Sequence, residues 1–175
     1  MKKNVIYIVL CLFLYACNSG KDDYCQTCNE IESYVFNFTF LFSKDFERTY
    51  NQQDLCYYPD YMPSDVIIIK EKEKEWNDSR IKICINLDSL RTISNSVSDY
   101  LDDVEKYIIT STKRKRKTLT RNNKTIEFVE YLDEKNNLFT LITYYYRDNF
   151  LIRKRIQIQE FKIDDYELIE QLLFA

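Results

Sequence analysis

Residues 138–161, LFTLITYYYRDNFLIRKRIQIQEF, decide the fold. Two runs of period-two alternation flank Asp148-Asn149, a pair that tolerates positive φ and so suits a two-residue hairpin turn. That turn sets a register. Tyr145 falls opposite Ile152, Leu141 opposite Ile156 and Phe139 opposite Ile158, an apolar face expected to be core. The other face sets Tyr146 opposite Leu151, Tyr144 opposite Arg153 and Ile142 opposite Arg155. Arginine on tyrosine is a cation–π geometry, and the same composition marks interface hot spots. It is equally the composition of cross-strand pairs on a solvated sheet face. Tyr144, Tyr146, Arg153 and Arg155 are the binding candidates of this hairpin.

Upstream, the pattern predicts more of the same meander. Thr118–Arg121 turns at Asn122-Asn123, a strand follows over about Thr125–Leu132, and a turn near Glu134–Asn137 leads into Leu138. Before it, Val97, Tyr100, Leu101, Val104, Tyr107 and Ile108 follow the helical period, with Ser96 as cap and Asp99 in the first turn. Downstream, a helix carries Leu168, Ile169, Leu172 and Leu173 on one face. Asp164 and Glu167 fit a capping box, and Ile163 and Leu168 a hydrophobic staple. Nearer the start, the alternating aromatics Tyr34 to Phe42, the β-branched Val66 to Ile69, and Ile81, Ile83 and Ile85 read as strands. The strand from Val66 fades into a charged turn over the alternating Lys-Glu run 70–75, with a helix there as the alternative reading. The sum is an α+β domain over 30–175: an antiparallel β-meander sheet with one internal helix and a C-terminal helix, both expected on one face.

Two further stretches are candidates for contact. The loop LCYYPDYMPSD (55–65) holds both prolines and presents Tyr57, Tyr58 and Tyr61, rings that bind protein or glycan at low entropic cost. They could instead fold back onto the core. Lys113-Arg114-Lys115-Arg116-Lys117 could meet phosphates, or could be a helix terminus or a lysine-guarded edge strand.

What is missing narrows the chemistry. The 175 residues contain no histidine, which excludes Ser-His-Asp and Cys-His catalysis and histidine-bound zinc. The one glycine is Gly20, so residues 30–175 carry no Gly-rich phosphate loop, dinucleotide fingerprint or G-x-S-x-G elbow. No cofactor and no metal are expected. A net charge of −3 argues against general nucleic-acid binding. Paired carboxylates remain the one catalytic route, but Asp102/Asp103 and Asp164/Asp165 are adjacent on helices and do not face each other. Asp99 and Asp103 could share a face, on the polar side.

The chain begins MKKNVIYIVLCLFLYAC: a basic start, an apolar run from Val5 to Ala16 too short to span a bilayer, then Cys17. Leu14-Tyr15-Ala16-Cys17 resembles the lipobox of bacterial lipoproteins, with Tyr15 bulkier than the usual residue there. The resemblance implies that residues 1–16 are a removed signal, that Cys17 is acylated, and that residues 17–29 are a tether. Two or three acyl chains bind a membrane stably where one does not. Lys21-Asp22-Asp23 behind the cysteine resembles the export signal of Bacteroidetes-type surface lipoproteins, and Asp88-Ser89-Leu90 resembles the O-glycosylation motif of exported proteins of that type. These imply a cell-envelope address at the outer membrane, facing outward where the export signal acts.

In such a compartment Cys25, Cys28, Cys56 and Cys84 read as disulfides. Three connectivities exist, and bridges from Cys25 and Cys28 to Cys56 and Cys84 would staple the N-terminal segment to the domain. Cys25-x-x-Cys28 as a redox pair lacks the preceding strand, and a four-cysteine zinc site lacks a second C-x-x-C. The expected function is a non-catalytic binding module anchored in the membrane, with a protein or glycan partner; an immunity or inhibitor role is one form. A structural subunit of an envelope complex and a carboxylate-dependent envelope enzyme are the alternatives.

Overall fold

The computed structural model describes residues 28–33, 35–36, 38–50, 65–89, 96–107 and 113–175. The elements are β1 (Cys28–Glu32), β2 (Thr39–Ser43), β3 (Phe46–Thr49), β4 (Asp65–Glu71), β5 (Ile81–Ser89), α1 (Val97–Tyr107), β6 (Lys113–Arg121), β7 (Lys124–Asp133), β8 (Leu138–Arg147), β9 (Phe150–Gln159) and α2 (Asp165–Phe174). β3 to β9 form one seven-stranded sheet, ordered β3-β4-β5-β9-β8-β7-β6 and antiparallel throughout. β1 and β2 pair separately.

The meander β6–β9 follows from turn chemistry that dispenses with glycine. Asn122 and Asn123 (φ 48° and 61°) and Asp148 and Asn149 (φ 49° and 65°) adopt the left-handed backbone that two-residue hairpins need. At the β7–β8 turn, the Asp133 carboxylate accepts the Lys135 and Asn136 amides, and Asn137 takes φ 47°. β9 then pairs with β5 over nine residues, Ile81↔Ile158 to Ser89↔Phe150, which joins the two halves of the sheet.

Alternation on β5 and β9 builds the main core. Ile81, Ile83, Ile85 and Leu87 meet Ile152, Ile156 and Ile158, and this face is covered by Phe38, Phe40 and Phe42 and by Ile169, Leu172 and Leu173 of α2. The opposite face is covered by α1, whose Leu101 and Val104 pack on Val129, Ile142, Tyr144 and Leu151. The two helices therefore lie on opposite faces, where the sequence pointed to one. The reason is that Val129, Ile142, Tyr144 and Leu151 add a second apolar stripe to the side read as solvated, wide enough for the narrow apolar stripe of α1.

Local departures have local causes. β1 opens at Cys28, inside the stretch read as tether, and Asn29 ties it to β3 by donating to the Phe46 carbonyl at 2.9 Å. The aromatic run enters β2 at Thr39; before it the Ser33 amide donates to the Phe38 carbonyl and the Ser33 hydroxyl accepts the Phe36 amide. β3, at four residues, is too short to show a period in the sequence. β4 carries on through Lys70 and Glu71, because the Glu71 carboxylate accepts the Arg80 and Ile81 amides across the turn. At α2 neither the capping box nor the staple forms. Asp164 has helical φ/ψ and makes no cap bond, and Ile163 is exposed. Asp165 does the work instead, accepting the Lys162 amide at 2.7 Å and pairing with Arg80 at 3.0 Å. The α1 cap is as expected: the Ser96 hydroxyl accepts the Asp99 amide, and the Asp99 carboxylate accepts the Ser96 amide.

Candidate functional site

The β8–β9 hairpin has the register the turn dictates, in all six of the pairs expected from it. Tyr144, Tyr146, Arg153 and Arg155 share one face, and Asn86 of β5 lies opposite Arg153. The expected cation–π pair is present, with the Arg153 guanidinium carbon 5.3 Å from the Tyr144 ring centre. The openness of that face is not. Tyr100 of α1 stacks on Tyr144, centroids 5.1 Å apart and planes 15° from parallel. Tyr144 and Arg153 are buried, Arg155 is half-buried, and Tyr146, at 42% exposure, remains on the surface. Burial raises the Tyr144 hydroxyl pKa, and burial reinforced by the Arg155 charge pushes the Arg153 guanidinium down. The row is a desolvated layer beneath a helix, with Tyr146 at its accessible end.

The other face holds a residue the sequence reading passed over. Lys154 lies between Ile152 and Ile156 and is fully buried. Its ammonium donates to the carbonyls of Leu172 (2.9 Å), Leu173 (3.3 Å) and Ala175 (3.0 Å), capping the last turn of α2. The rings of Phe40, Phe42 and Tyr145 stand 5.8, 5.6 and 5.9 Å away. Burial, then the charge of Arg147, pushes its pKa down to about 7. Strict alternation from Ile152 would have placed Lys154 on the core face; the signal was there, hidden inside an Arg-Lys-Arg run.

The basic run 113–117 is the edge strand of the sheet. Arg116 bonds Glu127 at 2.6 Å, the Ser98 hydroxyl at 2.9 Å and the Asp102 carboxylate. Lys117 pairs with Glu130 at 2.5 Å and sits 4.8 Å over the Tyr166 ring. Arg114 donates to the Glu105 carbonyl, and Lys115 is exposed. The carboxylates weighed for catalysis are thus held in structural pairs: Asp99 in the α1 cap, Asp102 on Arg116, Asp103 on Lys106 at 3.0 Å, and Asp165 on Arg80. Asp164 is exposed.

A cleft of about 180 Å³ at the far end of β5 and β9 is lined by Ser79, Arg80, Lys82, Asn136, Leu138, Gln157 and Gln159. Its cations are engaged, Arg80 by Asp165 and Lys82 over the Trp76 ring at 5.2 Å. Cys28 in β1 and Cys84 in β5 each belong to a disulfide. Cys17, Cys25, Cys56, Tyr57, Tyr58 and Tyr61 lie outside the described residues. Among the described residues, no group of three or more Cys, Asp or Glu side chains is placed to hold a metal ion, and no helix is long and apolar enough to cross a membrane.

No family model and no curated protein matches the chain. Among solved structures, it is similar to the Ran-binding protein Mog1p of Saccharomyces cerevisiae at 12% identity, covering 82% of each chain with a TM-score of 0.48. It is also similar to the cyanobacterial PsbP protein CyanoP of Synechocystis at 8% identity, covering 83% of this chain and 86% of that one with a TM-score of 0.45.

Proposed function

We propose that this chain is a lipid-anchored module of the cell envelope that acts by binding a protein or glycan and not by catalysis. The observation that carries the non-catalytic reading is the commitment of the candidate carboxylates. Asp99, Asp102, Asp103 and Asp165 each hold a cap or an ion pair, and such groups are poor general acids or bases. The anchor rests on Leu14-Tyr15-Ala16-Cys17, which supplies the acylation site. The layered construction suits a rigid display scaffold, because both sheet faces are covered and the exposed contacts sit on its rims. Tyr146, at the rim of the Tyr/Arg row, is the contact residue on which this reading stakes most.

Two measurements test it. Cys17→Ser should leave the protein unacylated and move it to the soluble fraction; retention in the membrane with residues 1–16 removed would defeat the anchor. A photo-crosslinking side chain at Tyr146 should give one discrete adduct in the native envelope. The same group at Lys135, in the turn at the other end of β8, should give none. Adducts of equal yield at both positions, or none at Tyr146, would defeat binding at this rim.

A further inference from the structure

We propose that the outer edge of β6 is a docking site for an extended acidic protein segment, which joins the sheet as an eighth strand. The two edges of the sheet are unlike. β3 is four residues long, and β1 lies across it through the Asn29–Phe46 bond and the bond from Arg48 to the Glu32 carbonyl. β6 is nine residues long, and among the described residues no strand runs along its outer side.

The register says which groups it offers. Arg121↔Lys124 closes the two-residue turn and is therefore a hydrogen-bonded pair, so the odd-numbered residues of β6 turn their amides and carbonyls to β7. Arg114, Arg116, Thr118 and Thr120 turn theirs outward. The ladder with β7 is unbroken over nine pairs, with no proline or bulge to spoil a partner's fit.

Charge selects the occupant. Two copies paired antiparallel along the whole strand would set Lys117 opposite Lys117, and a slip that aligned the basic runs would set like charges face to face along them, so self-pairing is disfavoured. An acidic strand meets Arg114 and Lys115 directly. Beyond Lys117 the edge is Thr118, Leu119 and Thr120, which suits β-branched partners. The fitting segment in antiparallel order is thus β-branched first and acidic after. This rests on the reading of the chain as a binding module, and it concerns an edge remote from Tyr146.

The probe is a fluorescein-labelled nine-residue peptide, Thr-Val-Thr-Val followed by five Glu, titrated by anisotropy against the mature chain. Saturable binding is expected. Thr118→Pro removes one outward amide and leaves the β7 ladder intact; it should weaken binding at least about tenfold with the melting temperature little changed. Backbone N-methylation of the peptide tests the same bonds on the unaltered protein and should weaken binding equally. Lys115→Glu should also weaken it. Absence of saturable binding overturns the proposal. So does equal binding by nona-glutamate and by the N-methylated peptide, which would reduce the edge to a charge patch. Tighter binding to duplex DNA or to phosphatidylglycerol vesicles than to the peptide overturns it as well. Failure here leaves the Tyr146 crosslink unaffected, so the two readings fall separately.

Discussion

On the α2 side of the seven-stranded sheet, isoleucine, leucine and phenylalanine interlock around a single buried lysine. On the α1 side, a short apolar stripe runs beside a row of tyrosine and arginine. Both faces come from the same strands, β8 and β9 above all. The first is held by apolar burial, at roughly 25 cal/mol for each Å² removed from water. The second is held by ring stacking, cation–π contact and a helix cap, each worth about 1 kcal/mol or less. The difference teaches that one alternating hairpin can serve as core twice, strongly on one face and weakly on the other. The largest test is therefore Leu141→Ala on the strong face. Leu141 is fully buried against Ile156, and its truncation should cost 2–5 kcal/mol in denaturant unfolding. A cost below about 1 kcal/mol would mean that the strong face is not the one beneath α2.

Lys154 sharpens the comparison, because it is a fully buried charge in the middle of the strong face, held by backbone carbonyls. Its folded pKa lies near 7, against about 10.4 when unfolded. Below about 7 both states hold the proton and this group adds no pH dependence. Between about 7 and 10.4 the unfolded chain binds the extra proton, so stability rises with pH by at most about 1.4 kcal/mol per unit. Lys154→Met should abolish that rise in the difference between the two proteins' stability–pH curves. It should also raise amide exchange in the last turn of α2, whose carbonyls lose their donor. Identical slopes in both proteins would show that Lys154 is not the group titrating there.

The hairpin, its turns and its register were legible because Asp148-Asn149 leaves one way to close the strands, and period-two alternation fixes the rest. The placement of α1 was not legible. Nothing local in Tyr144 or Arg153 says whether a helix or water covers them, since a cation–π pair looks the same in either setting. β3 was invisible because four residues carry too little period. The α2 cap was not legible because Asp164 and Asp165 are interchangeable in sequence, and Arg80, 85 residues earlier in the chain, decides between them. At the site, the grouping of Tyr144, Tyr146, Arg153 and Arg155 was readable and their exposure was not. The outward edge of β6 needed the ladder phase as well as the basic run.

Arg153 is the next test in size. On an open sheet face, Arg153→Ala would cost under about 1 kcal/mol. Buried beneath α1, it removes packing from Tyr144 as well as charge and should cost about 1–3 kcal/mol, still less than Leu141→Ala. A cost matching that of Leu141→Ala would erase the distinction between the faces. A cost near zero would show that α1 does not shield this row.

The smallest effect is the most discriminating. Ser96→Ala removes the hydroxyl that accepts the Asp99 amide and frees the Asp99 carboxylate from its bond to that hydroxyl. Loss of such a cap costs about 1 kcal/mol. If the layers are separate, the cost is confined to α1 and the stack of Tyr100 on Tyr144 beneath it. Amide exchange should then accelerate in Val97–Tyr107, while α2 and β5 keep their protection, because their burial lies on the other side of the sheet. Acceleration of the same size in α2 would mean that the sheet passes the loss from face to face and that the molecule opens as one unit. The Asp99 carboxyl, held low first by the Ser96 amide and then by its hydroxyl, gives an independent readout. With the hydroxyl gone its pKa should rise part of the way back toward the usual aspartate range, a shift visible by side-chain NMR titration even if global stability hardly moves.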